Sequence, residues 1–266
     1  MTTTSKRRFS LRHFAAAAAV MAAFGTLGLV LPVSPSYAGS SFWGSEKVEG
    51  SGSIKTEARQ LAQFTGLSLA IPAKLELRIG ATESITIETD DNLLPLIETV
   101  VERGILKIKP SKNNMNLRAN TLRIVVQAKQ IDRISLGGSG SVTAAALRAP
   151  SLSFDLGGSG QIDIGSIDAK SVAVSIGGSG KLRAGGGATE ELTVSIGGSG
   201  DVDLGKVSTN IARVSVAGSG EATVWAQKSL AATIAGSGDV NYYGDPSVAK
   251  SSVGSGDVTR LGGAPR

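Results

Sequence analysis

The feature that most constrains this chain is a Gly-Ser-Gly tripeptide that recurs through its second half. It occupies residues 138–140, 158–160, 178–180, 198–200, 218–220, 236–238 and 254–256. The first four intervals are 20 residues long and the last two are 18 residues long. A regular period in this range is typical of a solenoid, in which each repeat forms one coil that stacks on the next.

Aliphatic residues alternate with polar residues on both sides of each tripeptide. Before one turn, Val174 and Ile176 flank Ser175, and after the next turn Val202 precedes Leu204 by two residues. This period of two indicates two or three short strands in each repeat, each with one buried face. Because the same positions return one period later, each strand can pair in parallel with its copy in the next coil. The sequence therefore predicts an all-β fold, a right-handed parallel β-helix with about 20 residues per coil.

The tripeptide itself is expected to form the corner between strands. Glycine adopts the positive φ that a sharp corner needs, and the serine between the glycines can cap local N–H groups or bond to the serine of the next coil. The serines of this predicted ladder are Ser139, Ser159, Ser179, Ser199, Ser219, Ser237 and Ser255. A nucleophilic role would need a base, and the sequence supplies no histidine for one outside its first residues.

The first 38 residues have the features of a secretory signal. A basic start with Lys6, Arg7, Arg8 and Arg12 precedes an uncharged apolar run at 14–33, and small residues at positions 36 and 38 suit cleavage. A retained membrane anchor is the alternative. The pair Arg7-Arg8 leaves both the general and the twin-arginine export routes open. Cleavage would leave a protein with no segment for membrane insertion, in the periplasm or at the cell surface.

Removal of this leader changes the composition in two ways. It takes four of the 27 basic residues and none of the 22 acidic ones, so the mature chain holds 23 basic and 22 acidic residues and offers no basic field for nucleic acid. It also takes His13, the only histidine, from a chain that has no cysteine. These losses exclude histidine-dependent catalytic triads and His or Cys metal sites from the mature chain, and no cofactor is expected.

The chain divides into segments by composition. Residues 39–59 are expected to be a linker or N-terminal extension, 60–130 irregular β coils, 131–260 the repeat coils, and 261–266 a tail. In the irregular part, residues 93–101 are expected to be extended and to turn back at Arg103-Gly104. In the last coil, Lys250, Ser252 and Arg260 replace aliphatic residues, which is how a solenoid protects its final edge.

One stretch of the irregular part resembles a known family, the auto-transporter adhesin head GIN domain. The matching sequence is ITIETDDNLLPLIETVVERGILKI at residues 85–108, followed by the Gly-Ser-Gly coils, and Phe64 also fits. The resemblance covers residues 60–260. It implies a β-helical protein of the cell envelope or surface with no established biochemical activity. The family supplies no catalytic residues to transfer.

The position after the tripeptide is acidic in the last four coils, at Asp201, Glu221, Asp239 and Asp257. Stacked carboxylates repel one another unless they are solvated or bridged by a hard cation, so this column is both a candidate cation stripe and an ordinary solvated acidic surface. The run GGSGDVDL at 197–204 is similar to calcium-binding repeats, but its acids fall one residue out of register for that role.

Two aromatic residues share another column. Trp225 and Tyr243 are expected to stack where earlier coils have Gly165, Gly185 and Gly205. Exposed stacked aromatics can form a platform for sugars, and they can equally shield the last coils from water. We therefore treat Trp225 and Tyr243 as a candidate ligand surface.

These observations favour an exported, non-enzymatic envelope or surface protein, an adhesin-like scaffold that binds a glycan, protein or other envelope ligand. The oligomeric state is left open. The alternative is a β-helical polysaccharide lyase or glycosidase, for which Asp201, Glu221 and Trp225 are the available nucleus. A third alternative is a passive module for stability or assembly.

Overall fold

The computed structural model describes residues 46–265, and almost all of them lie in strands. The predicted signal at 1–38 lies outside the described residues. A single-turn 3-10 helix, Leu94–Leu96, separates the fifth and sixth strands. The strands before the repeats are β1 (Glu46–Glu49), β2 (Ile54–Gln60), β3 (Gly66–Leu69), β4 (Lys74–Ile79), β5 (Ser84–Asp90), β6 (Ile97–Glu102), β7 (Ile105–Pro110), β8 (Met115–Arg118) and β9 (Leu122–Ala128).

The repeats form a β-solenoid of about six turns, as the period predicts. Its strands are β10 (Arg133–Gly138), β11 (Ser141–Gly158), β12 (Gln161–Gly178), β13 (Lys181–Ala184), β14 (Gly187–Gly198), β15 (Asp201–Gly218), β16 (Glu221–Gly236), β17 (Asp239–Tyr243), β18 (Ser247–Gly254) and β19 (Val258–Gly262). The expected tail therefore begins inside β19.

The strands are longer than the two or three short ones expected in each repeat. β11, β12 and β15 each run for 18 residues, almost the whole coil. The register between β11 and β12 continues from Leu147 opposite Ile167 to Ser151 opposite Ser171, so the backbone stays paired to the next coil around this corner. Only the Gly-Ser-Gly corner interrupts these three long strands.

Parallel pairing stacks the aliphatic residues in columns that form the core. The column through Val194 is continuous in register and ends where Ala232 lies opposite Lys250. Its buried members are Leu106, Leu67, Ile134, Phe154, Val174, Val194, Val214 and Ala232. Because the column begins in β7 and β3, the irregular part supplies the first layers of the same core.

The corner needs both of its glycines, for different reasons. Gly198, the first glycine of its tripeptide, has a φ of 128°, which only glycine adopts readily. Gly200, the second, is buried, and a methyl group there would lie 2.8 Å from the carbonyl oxygen of Gly180 in the previous coil. The serine between them is exposed, and its backbone N–H donates to Gly178 O at 2.8 Å. Successive corners are thus joined through backbone hydrogen bonds.

The expected ladder of serine hydroxyls at this corner is replaced by that backbone ladder. A hydroxyl-to-hydroxyl hydrogen bond between coils occurs instead on another side of the coil, where Ser171 Oγ donates to Ser151 Oγ at 3.0 Å.

The N-terminal part differs from simple coils because antiparallel strands are inserted in it. β5 pairs antiparallel with β2 and with β9, and β6 pairs antiparallel with β7. The turn between β6 and β7 is at Arg103-Gly104, as expected, and both residues have positive φ. The segment 39–59, expected to be a linker or N-terminal extension, contains β1 and most of β2. The pairing of β2 with β5 supplies the hydrogen-bond partners that an isolated strand would lack.

The C-terminal edge ends the core with polar residues, as predicted. Lys250 lies opposite Ala232, and Ser252 lies opposite Ile234. Every residue of β18 is exposed. Charged and polar side chains at such an edge disfavour the addition of another strand.

Candidate functional site

The acidic column occupies adjacent strands on the outer surface of the last coils. Asp201 lies opposite Glu221, and Glu221 lies opposite Asp239. In the next coil, Asp257 lies immediately before β19, and its backbone N–H donates to Asp239 Oδ1 at 2.9 Å. The structure therefore brings the four acids into one row.

The carboxylate oxygens of these acids form ion pairs and hydrogen bonds with neighbouring protein groups. Lys181 Nζ lies 2.8 Å from Asp201 Oδ2, and Asn241 Nδ2 donates to Glu221 Oε1 at 2.6 Å. Across residues 46–265, no group of three acidic or histidine side chains converges as a metal site would require. The row has the geometry of a solvated acidic surface with local partners.

Trp225 and Tyr243 lie opposite each other in β16 and β17, and both are half-buried. Trp225 was predicted to lie opposite Gly205, and this prediction is wrong. A register shift between β15 and β16 places Trp225 opposite Ser208. This shift follows from the change of repeat length from 20 to 18 residues. Tyr243 covers the bypassed glycine: a methyl group at Gly205 would lie 3.3 Å from Tyr243 Cε2.

The three residues considered as the active site of a lyase or glycosidase are spread along one surface. Asp201 and Glu221 are cross-strand neighbours, while Trp225 is four residues further along β16. The carboxylate of Asp201 is engaged by Lys181. A small hollow of about 140 Å³ contains both acids together with Arg183 and Asp203, but not Trp225. The arrangement provides charged groups on an open surface rather than an enclosed cleft.

A much larger concave surface lies elsewhere, beside the first coil. It is an open groove of about 880 Å³, which we call the first-coil groove. Its residues come from the approach to β4, from β5, from β8 and β9 with the loop between them, and from the first Gly-Ser-Gly corner. They are Pro72, Lys74, Glu88, Asn116, Leu117, Arg118, Ala119, Asn120, Thr121, Leu122, Arg123 and Ser139.

The first-coil groove carries more positive than negative charge. Lys74 and Arg123 are opposite each other in the β4–β9 pair, and Arg118 lies at the end of β8. Each of these three cations is exposed, and none is within 4.0 Å of an acidic group of the described residues. Glu88 is the acidic residue of the lining.

One wall of the groove is fixed by a buried carboxylate. Asp90 is fully buried, and it accepts hydrogen bonds from the backbone N–H and from Nδ2 of Asn120, at 3.0 and 2.9 Å. Asp90 also accepts from the backbone N–H of Gly52 at 2.7 Å. The hydrogen bond from Asn120 is the main cause that lowers the pKa of Asp90, and burial opposes it. The loop that carries Asn120 is therefore held by an ionised group.

The sequence pattern does not reveal this groove because its residues come from strands that do not repeat. Lys74 is far in sequence from Arg118 and Arg123, and the parallel pairing of β4 with β9 brings Lys74 beside Arg123. The available signal was a set of cations and amides at 112–123.

The fold and the repeat sequence define the protein as a β-solenoid. The chain belongs to the family described as "Putative auto-transporter adhesin, head GIN domain", whose sequence profile matches residues 63–246. The resemblance at 85–108 is thereby confirmed. Among proteins of curated function, none matches the chain in sequence.

Solved structures share the fold over most of the chain. A putative adhesin from Bacteroides fragilis superposes with a TM-score of 0.76 at 22% identity, over 80% of this chain and 100% of that one. A putative lipid binding protein from Parabacteroides distasonis gives 0.70 at 25% identity, over 81% and 100%. A putative adhesin from Parabacteroides merdae gives 0.66 at 20% identity, over 81% and 99%.

The family's adhesin description associates it with the cell surface or envelope. Among residues 46–265, no helix is both long and apolar enough to span a bilayer.

Proposed function

We propose that this protein is exported and acts without catalysis, as a rigid adhesin-like scaffold that binds a partner in the cell envelope or at the cell surface. The observation that carries the proposal is the first-coil groove, an open polar groove of about 880 Å³. It lies beside the first coil of a solenoid whose sequence matches an adhesin-head family. The signal-like sequence at 1–38 supports export.

A rigid scaffold suits adhesion for a physical reason. Groups fixed by continuous pairing lose little conformational entropy when a ligand binds, so more of the contact energy contributes to affinity. At the groove, β4 pairs in unbroken register with β9 on one side and with β11 on the other. Binding at the groove therefore needs no large rearrangement of the solenoid.

The alternative of a polysaccharide lyase or glycosidase receives less support. Such enzymes need an acid and a base on either side of the scissile bond. Asp201 and Glu221 are neighbours on one open surface, and Asp201 is paired with Lys181. Turnover would be measured as product release from polygalacturonate and alginate. Turnover by the wild type that Asp201→Asn abolishes would replace the scaffold proposal.

Lipid binding, which is named for one similar structure, would favour an apolar cavity. The first-coil groove instead presents charged and amide side chains, with Leu117 and Leu122 buried beneath them. The lining of the groove therefore supports adhesion more than it supports lipid binding.

The test follows the full-length chain in a bacterial host with an outer membrane. Fractionation and protease added to intact cells determine whether it reaches the periplasm or the surface. Binding of the exported protein to intact cells and to extracted envelope polysaccharide then measures adhesion. Retention in the cytoplasm, or export without binding to cells or envelope material, would contradict the proposal.

A further inference from the structure

The first-coil groove has a chemistry that indicates one class of ligand. Three exposed cations, Lys74, Arg118 and Arg123, lie in one lining, together with one acid, Glu88, which is opposite Arg123 in the β5–β9 pair. Because the cations outnumber the acid in this groove, the lining favours a ligand with several negative groups.

The remaining lining residues favour a ligand that is rich in hydroxyl groups. Asn116 offers an amide that both donates and accepts, and Thr121 and Ser139 offer hydroxyls, while the Nδ2 of Asn120 already donates to Asp90. Such groups pair with the hydroxyls of sugars, while the cations pair with carboxylate or sulfate.

The groove also has a shape that suits an extended chain. A second hollow of about 430 Å³ shares Lys74, Glu88 and Arg123 with it and continues along β4 and β9. This continuation includes Glu76 and Arg78, which are hydrogen-bonded to each other at 2.7 Å. The hydrogen bond from Arg78 is the main cause that lowers the pKa of Glu76, and the charge of Arg123 adds to this effect.

We propose that the first-coil groove binds a linear acidic polysaccharide, with Lys74, Arg118 and Arg123 contacting its carboxylate or sulfate groups. This inference rests on the adhesin function proposed above and gives its ligand class. The side chains in the lining include no aromatic residue that could stack on nucleic-acid bases, and the mature chain is nearly neutral, so the attraction is local to the groove.

The test compares two double variants with the wild type. Lys74→Gln with Arg123→Gln removes two groove cations and keeps similar side-chain lengths. Lys206→Gln with Lys228→Gln is the matched control, because it removes two exposed cations of the repeat coils that lie outside the groove. Circular dichroism and the thermal midpoint establish that each variant is folded. The probes are polygalacturonate, dextran sulfate, neutral dextran, and vesicles of phosphatidylglycerol.

We expect the wild type to bind at least one acidic polysaccharide, more weakly as salt rises, and to bind neutral dextran at least tenfold less tightly. The groove variant should bind at least tenfold less tightly than the wild type, and the control within about twofold. Equal loss in the control, equal binding of neutral dextran, or binding to the vesicles alone would overturn the inference.

The same variants separate this inference from the adhesin proposal. If the groove variant still binds intact cells as the wild type does, the adhesin function stands and the ligand assignment fails. If the wild type binds acidic polysaccharide but no cells or envelope material, the adhesin proposal fails and the groove chemistry stands.

Discussion

The carboxylate of Asp90 holds both polar groups of Asn120, its backbone N–H at 3.0 Å and its side-chain Nδ2 at 2.9 Å. The same carboxylate accepts the backbone N–H of Gly52 at 2.7 Å. Asp90 thus joins the N-terminal strands to the loop that forms a wall of the first-coil groove. A single buried side chain connects the stability of the N-terminal part to the shape of the candidate site.

Asp90→Asn should lower stability, because an amide offers one acceptor oxygen where the carboxylate offers two, and its NH₂ group would face a donor. We expect the thermal midpoint to fall by about 4–10 °C. The control is Asp245→Asn, since the side chain of Asp245 is 81% exposed in its pair with Arg260, and it should shift the midpoint by about 2 °C or less. A scan by circular dichroism measures both. Equal shifts in the two variants would show that the Asp90 contacts carry no special stability.

The contribution of Asp90 should also depend on pH in a defined direction. Its pKa in the folded protein lies below the ordinary value of 3.8, chiefly through the hydrogen bond from Asn120, so the unfolded chain binds the proton first as the pH falls. The stabilisation is therefore complete above the ordinary carboxyl range and is lost as the pH falls through the folded value.

The measurement is the difference in thermal midpoint between the wild type and Asp90→Asn from about pH 7 to pH 3. We expect a constant difference down to about pH 5 and a decrease below about pH 4. The subtraction removes the contributions of Glu76, Asp91 and Glu102, whose pKa values are also lowered. A difference that stays constant to pH 3 would mean that the pKa of Asp90 is the same in the folded and in the unfolded protein.

The corner glycines allow a sharp comparison between adjacent residues. Gly198 has a φ of 128°, and a methyl group there would lie 2.5 Å from Gly178 O. Gly197 has no such restriction, and its partner in the next coil is Ala217. We expect Gly198→Ala to reduce the free energy of unfolding by about 2–4 kcal/mol, and Gly197→Ala by less than about 1 kcal/mol. Urea unfolding provides the values, and a similar loss for both variants would refute the role of backbone conformation at the corner.

The sequence predicted the repeat part of the fold well because each coil has the same pattern. Val174 and Val194 are 20 residues apart and are opposite each other in the structure, as the period requires. The prediction failed where the period changes. Trp225 was expected beneath Gly205, but the coils lose two residues here, and the structure absorbs the change within the strand pair rather than at the Gly-Ser-Gly corner.

The candidate groove could not be predicted in the same way. Its cations Lys74 and Arg123 are neighbours because β4 pairs in parallel with β9, and no periodic signal in the sequence specifies that pairing. The acids Asp201 and Glu221 do repeat, so their alignment was predictable. What could not be predicted is that Lys181 and Asn241 would occupy their oxygens. Side-chain partners depend on rotamers that a sequence pattern does not determine.

The polar C-terminal edge leads to a prediction about self-association. Lys250 and Ser252 lie opposite Ala232 and Ile234, where a further coil would continue the buried columns. Lys250→Val combined with Ser252→Ile would present an apolar row beside unpaired backbone groups. Such an edge favours pairing with another copy of the chain.

We expect this double variant to form dimers or larger species at concentrations where the wild type does not form them. Sedimentation velocity measures the difference. The control is Lys170→Val, which adds an exposed apolar side chain in β12, a strand that is paired with β11 and β14 on its two sides, and should sediment as the wild type does. Association by the control to the same extent would attribute the effect to surface hydrophobicity in general. An unchanged sedimentation profile for the double variant would mean that the edge is protected by β19 and its backbone geometry rather than by Lys250 and Ser252.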